Sequence, residues 1–304
     1  MVFARILLAT AVLFQLPCHP ASAQDELTIE HQGIARHAIL HQPSATLVGK
    51  SPLLIYLHGV RPKDWKNHTQ REIDVLADRE GVITVYPEAI GFRWNYADKL
   101  KEPQKAGDAI ADDLGFIEKL IDKLIADHSA DPSRVFVLGD SGGGLMTFAV
   151  MCQLANRIAA AGPLITGMTS PQIAACNPKR AVPLMAVAGS SDFLQPYDGV
   201  LGKDYRLLSV PETMEFWRVR HGCTGQEFRL LPHRVSEDRT RILLSEWTGC
   251  AVEGAVRLYR VNGGGHQVPT FEPGNPDWIK QAGPLNHDIE TAEEFWAFAK
   301  KFRL

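Results

Sequence analysis

The stretch that most restricts the fold is Val135-Phe136-Val137-Leu138-Gly139-Asp140-Ser141-Gly142-Gly143-Gly144-Leu145-Met146. A β-branched and aromatic run, typical of a strand, ends in a glycine-bracketed serine, and a helix-compatible segment follows over 145–154. Strand, sharp turn and helix in that order give Gly-x-Ser-x-Gly its meaning: a serine on a tight turn, its hydroxyl projecting above the sheet. Neighbouring Cβ atoms would collide in such a turn, so glycines flank it. The amides that open the following helix, Gly142 among them, can face a developing negative charge. The pattern alone is weak, because glycine and serine are abundant. Its flanks, and partners found downstream, give it weight.

The same Gly-Asp-Ser-Gly-Gly string occurs in the nucleophile loop of chymotrypsin-like proteases. That fold is all-β and places histidine and aspartate before serine. Here the only upstream histidine with a motif around it is His58, in Leu57-His58-Gly59, and a helical pattern precedes the serine. The protease reading fails on both counts.

Around the serine, strand and helix patterns alternate. Residues 27–32 and 36–40 read as a hairpin, and 52–57 is a continuous apolar run, as in a parallel strand covered on both faces. A helical pattern over 71–79 and a strand over 82–86 follow. Ile110, Leu114, Ile117, Ile121, Leu124 and Ile125 recur at helical spacing, with Asp112 and Asp113 as charges at that helix's start. Strands are expected over 159–165 and 183–188, then a helix through Trp217 opened by the capping box Ser209-x-x-Glu212. Strands near 227–231, 241–247 and 256–261 and an amphipathic helix over 295–302 complete the chain. This alternation predicts an α/β fold: a doubly wound, mostly parallel sheet with helices on both faces. With 304 residues and 45% hydrophobic content, one large domain over 24–304 is expected.

Two residues downstream complete a chemical set with Ser141. Asp192 follows the strand at 183–188, where an acid can orient a histidine. Its rival Asp198 sits in a Pro-Tyr-Asp-Gly turn, which gives aspartate a structural reason to be there. His266 follows Gly263-Gly264-Gly265 after the last strand, on what reads as a mobile loop. Its rival, His287, lacks the strand-then-glycine context. Trp94 and Asn95, in the aromatic-rich loop 91–96 after a strand, are the expected substrate-binding residues.

The first residues read as a targeting segment. Arg5 supplies a positive start, 6–16 an apolar run too short to span a bilayer, and Ala21-Ser22-Ala23 a small-x-small cleavage site. A signal peptide over 1–23 with a mature start at Gln24 is expected, and with it a secreted or periplasmic protein that has no membrane attachment once the signal is removed. Cys18 lacks the small residues before it that a lipid-anchor signal needs. Cys152, Cys176, Cys223 and Cys250 remain, an even set that points to disulfides in an exported chain. Three pairings are possible, and Cys152–Cys176 with Cys223–Cys250 is favoured. A net charge of −3 with 22% charged residues speaks against a nucleic-acid partner.

Taken together, Leu57-His58-Gly59, Trp94-Asn95, Asp112-Asp113-Leu114-Gly115-Phe116-Ile117, Arg134-Val135-Phe136-Val137, the serine turn and Gly263-Gly264-Gly265-His266 resemble the polyhydroxybutyrate depolymerase and feruloyl/acetylxylan esterase group of α/β-hydrolases. Val210-Pro211-Glu212-Thr213, Cys176, Cys223 and Cys250 fit the same pattern. The resemblance covers nearly all of 24–304. It implies a secreted serine esterase acting on polyhydroxyalkanoate oligomers or on feruloyl and acetyl esters of plant polysaccharide. Ser141 would be the nucleophile, His266 the base and Asp192 the acid, with the backbone N–H groups of Val60 and Gly142 as the oxyanion hole and no metal or organic cofactor. The partner is then a small or oligomeric ester, and the protein a monomer. Three loops depart from the family: Gln267-Val268-Pro269-Thr270 after the histidine, Ala188-Gly189-Ser190-Ser191-Asp192 at the acid, and Val60-Arg61-Pro62 after His58-Gly59. The alternatives are a peptidase or lipase of the same fold, or a non-catalytic carbohydrate-binding relative.

Overall fold

The computed structural model describes residues 24–43, 49–60, 68–96, 111–202 and 206–304. The expected signal peptide 1–23 with Cys18, together with Ile110 and Arg61-Pro62, lies outside these residues.

In chain order the elements are β1 (Gln24–His31), β2 (Ile34–His41), β3 (Ser51–Leu57), α1 (His68–Glu80), β4 (Ile83–Pro87), α2 (Asp113–Asp127), β5 (Ala130–Asp140) and α3 (Gly142–Gln153). Then come β6 (Ala160–Leu164), α4 (Ser170–Ala175), β7 (Leu184–Gly189), β8 (Val200–Leu201), β9 (Arg206–Leu207) and α5 (Val210–Arg220). The last are β10 (Gly225–Leu230), β11 (Arg241–Thr248), β12 (Val256–Asn262), α6 (Pro276–Ala282) and α7 (Thr291–Ala299).

Ten strands form one sheet in the order β1-β2-β4-β3-β5-β6-β7-β12-β11-β10. The strands from β4 to β12 in that order run parallel. Their apolar continuity has a direct cause: Leu53 to Leu57 and Val135 to Leu138 are buried on both faces. One face is covered by α1 and α7, where Tyr86 donates to Asp74 and Phe136 packs edge-on against Trp296. The other carries α2, α3 and α5, with Trp217 of α5 stacked on Phe148 of α3.

Both edges depart from the parallel pattern. β1 and β2 form a hairpin whose register places Gln32 and Gly33 in a two-residue turn, both at positive φ (52° and 76°), as the tight turn requires. At the other edge β12, β11 and β10 form an antiparallel meander, so the run of strands near 227–261 is an extension folded back on itself rather than further crossovers.

The two cystines join Cys152 to Cys176 and Cys223 to Cys250. The first ties the end of α3 to the end of α4, and the second ties α5's exit to β11's exit.

Candidate active site

Ser141 sits between β5 and α3 with φ 53° and ψ −115°, a conformation costly for a residue with a side chain. The turn is possible because its neighbours are small. A Cβ on Gly143 would lie 1.9 Å from the Leu57 carbonyl oxygen, so only glycine lets the helix start approach β3 so closely. Ser141 is held from below by its own N–H, which donates to the Leu164 carbonyl (3.0 Å).

His266 Nδ1 lies 2.6 Å from Asp192 Oδ2, and its Nε2 lies 2.9 Å from Ser141 Oγ. A carboxylate can only accept, so Nδ1–H donates to Asp192 and leaves Nε2 to accept the Ser141 hydroxyl. Asp192 is itself fixed, since its Oδ1 accepts the Leu194 and Gln195 N–H groups, each at 2.8 Å. His266 and Asp192 are 5% and 6% exposed, which strengthens these interactions relative to water. Asp198 is exposed, and His287 Nδ1 is engaged by the Thr270 carbonyl (2.8 Å). Neither rival joins the chain.

The His266 loop, which its glycines suggested to be free, is tied down by hydrogen bonds. Gly265 and His266 donate their N–H groups to Pro284 (2.8 Å) and Ala282 (2.6 Å), and Gln267 donates its side-chain amide to Gly283. The glycines serve close packing instead: a Cβ on Gly189, at the end of β7, would lie 2.3 Å from the Gly265 carbonyl oxygen.

Val60 follows β3 and faces the helix start. A Cβ on Gly142 would lie 3.7 Å from the Val60 nitrogen, so the two backbone amides are neighbours. Gly142 opens α3, where the first N–H groups have no acceptor within the helix. His58 braces this loop, its Nε2 accepting the Ala89 N–H (3.1 Å) and its Nδ1–H donating to the Gly59 carbonyl (2.7 Å).

Trp94 and Asn95 are placed differently from the expected cleft wall. Trp94 is 5% exposed, and its indole N–H donates to the His58 carbonyl (2.8 Å). Asn95 donates its backbone N–H to Asp113 (2.6 Å) and its side-chain amide to Ala111 (2.9 Å). Trp94 thus holds the loop after β4 against the His58 loop, and Asn95 holds it against the start of α2. Of the two helix-start acids, Asp112 caps α2 through the Gly115 N–H (2.9 Å). Asp113 does more than carry charge, because it is buried and paired with Arg36 at 2.6 Å. Burial pushes its carboxyl pKa up, against the pull of the Asn95 N–H and the guanidinium.

A parallel sheet with helices on both faces, and a strained serine between a strand and a helix, place the molecule among the α/β-hydrolases. Solved structures agree at the level of fold. An acetyl xylan esterase from Aspergillus awamori superposes with a TM-score of 0.57 at 15% identity, covering 91% of this chain and 98% of that one. A thermostable esterase gives 0.55 at 15% identity, covering 92% and 63%. Within that class, the Esterase PHB depolymerase family profile matches residues 36–192, and the chain belongs to that family.

Relatives in sequence include feruloyl esterase B of Piromyces equi, 27% identical over 260 residues, or 81% of this chain and 45% of the relative. The bifunctional acetylxylan esterase/xylanase XynS20E of Neocallimastix patriciarum is 31% identical over 182 residues, 58% of this chain and 24% of that one. Poly(3-hydroxyalkanoate) depolymerase C of Paucimonas lemoignei is 28% identical over 134 residues, 42% and 30%. The chain thus spans less than half the length of each of these three relatives.

Proposed function

We propose that this chain is an exported serine carboxylesterase. The observation that carries the reading is the continuous chain from Asp192 through His266 to Ser141, at 2.6 and 2.9 Å. Ser141 Oγ attacks the ester carbonyl while His266 Nε2 takes its proton, and the same proton passes to the departing alcohol. Asp192 stabilises the imidazolium formed in between. Water then attacks the acyl-enzyme by the same route, giving a carboxylic acid and free serine. The N–H groups of Val60 and Gly142 hold the tetrahedral oxyanion, each contributing on the order of 3 kcal/mol to lowering the barrier.

For the substrate, relatives named feruloyl esterase, acetylxylan esterase and poly(3-hydroxyalkanoate) depolymerase support an ester of a polysaccharide or of a hydroxyalkanoate. Exposed Val60, Phe193 and Leu194, on the loops that carry the oxyanion amide and the acid, favour a substrate with an apolar part. Both cystines support export, since disulfides persist in oxidising compartments. A mature N-terminus at Gln24 is the expected result of terminal sequencing, and an uncleaved protein would count against export through residues 1–23.

The direct test is a phosphonofluoridate probe followed by peptide mass spectrometry. Label on Ser141, lost in His266→Ala, is the expected result. Absence of label on well-folded protein overturns the esterase reading.

A further inference from the structure

Among the described residues, a cavity of about 530 Å³ lies away from Ser141, between α5 and the antiparallel extension β12-β11-β10. Strand alternation builds it. Leu258 and Arg260 of β12, Ser245 and Trp247 of β11 and Phe228 of β10 all face α5. Tyr259 points the other way, its hydroxyl donating to Glu294 of α7. The floor from Leu243 to Trp247 spans five residues, roughly 13 Å at the rise of a strand. Its volume is of the order of small-molecule sites.

The charge in this cavity is unbalanced at one end only. Arg218 at the far end is neutralised in a fork with Glu215 (2.6 Å). Arg257, on the opposite face, pairs with Glu246 (2.8 Å). Arg260 forms no such pair among the described residues. Its guanidinium carbon lies 4.9 Å from the centre of the Tyr197 ring, and its Nε is buried with no hydrogen-bond partner. A buried donor left unmatched is costly, and a guanidinium is built to grip a carboxylate with two parallel bonds. Beyond it Leu258, Phe228, Met214 and Trp247 give an apolar and aromatic patch, beside the polar Ser245, Thr224 and Gln226.

We propose that this cavity binds a small monocarboxylate with a flat or apolar body, the carboxylate on Arg260 and the body between Leu258, Phe228 and Met214. Tyr197 belongs to the loop that begins with Asp192, and Arg260 lies on the strand that leads to His266, so the ligand would sit against the supports of both groups. Carboxylic acids are also what ester hydrolysis releases. The inference itself does not depend on that reaction, because its test reads binding.

The probe is 3-phenylpropionate, titrated calorimetrically into the chain from Gln24 onward, with 3-phenylpropanamide as the neutral control. The acid binds saturably, and the amide binds at least about tenfold more weakly, as the loss of a charged hydrogen-bond pair implies. Arg260→Gln weakens the acid by a similar factor. Phe228→Ala, at an exposed position that leaves the fold intact, weakens acid and amide alike by a few-fold. The proposal is overturned by equal affinity for acid and amide, by binding that neither substitution changes, or by no saturation at millimolar acid. It is also overturned if sedimentation shows a second copy of the chain filling the cavity.

Discussion

Tyr56 and Asp140 share a buried 2.7 Å hydrogen bond beside the serine turn, and the same carboxylate oxygen accepts the Gly59 N–H at 3.1 Å. One side chain therefore ties the end of β3, the end of β5 and the loop that carries Val60. A Cβ on Gly59 would lie 3.0 Å from the other oxygen of Asp140 and 3.2 Å from Ser141 Cβ, so the loop has no slack. Asp140→Ala is expected to lower kcat roughly 10- to 100-fold at near-constant KM, because the Val60 amide loses its register with Ser141. Asp140→Asn keeps an acceptor oxygen and should recover most of the rate. Steady-state kinetics beside melting curves decides: lost stability with unchanged kcat would confine Asp140 to a packing role.

Asp192→Asn should lower kcat about 10⁴-fold, because an amide no longer selects the imidazole tautomer that leaves Nε2 free to accept. Asp198→Asn, at an exposed turn position, should stay within about twofold of the unmodified protein. Equal losses in the two variants would undo the assignment of the acid.

Adjacent glycines should respond very unequally to alanine. At Gly143 the new methyl would lie 1.9 Å from a backbone oxygen, whereas at Gly142 the nearest atom is the Val60 methyl carbon at 3.3 Å. Gly143→Ala should cost about 3 kcal/mol or more, or abolish folding. Gly142→Ala should fold with a loss of about 1 kcal/mol. Denaturant midpoints of the two variants test the contrast.

The cystines close loops of 24 and 27 residues. Replacing either pair by alanines should cost about 3 kcal/mol, chiefly by freeing the unfolded chain. Alkylation without reduction should leave all four cysteines unmodified. Uptake of label would contradict the pairing.

His221 ends α5, buried, its ring donating to the Val182 carbonyl at 3.0 Å. Burial holds its pKa below the ordinary value of 6.5, more strongly than the Val182 carbonyl raises it. The folded protein therefore binds this proton less readily than the unfolded chain, and stability falls as pH drops below about 6.5. His221→Gln should flatten that part of the melting-temperature profile. An unchanged slope between pH 7 and 5 would exclude His221 as its source.

The parts legible in the sequence are those where local pattern and chemistry coincide. Leu53 to Leu57 is apolar throughout because both faces of β3 are covered. Ser141, Asp192 and His266 stand in an order and at strand ends that allow few other readings. The antiparallel edge was hidden because alternation over 241–247 announces a strand but not its neighbour, and pairing is a long-range property. The short helices α4 and α6 carry start signals, Thr169-Ser170-Pro171-Gln172 and Asn275-Pro276, but six or seven residues are too few to display a helical period. Trp94 was misplaced because an aromatic in a loop can turn either way, and the carbonyl that decided it belongs to another loop. The glycines before His266 signal close contact as readily as freedom, and only the position of Gly189 and residues 282–284 tells the two apart.

The hydrogen bonds from Gly265 and His266 to Pro284 and Ala282 also set an order of events. During synthesis the Ser141 turn and Asp192 emerge first, and His266 follows, yet its resting place is built from residues made later still. A nascent chain that ends before residue 282 lacks the carbonyls that seat His266. The seating of His266 is thus a late event, reached only once residues 282–284 have closed against it.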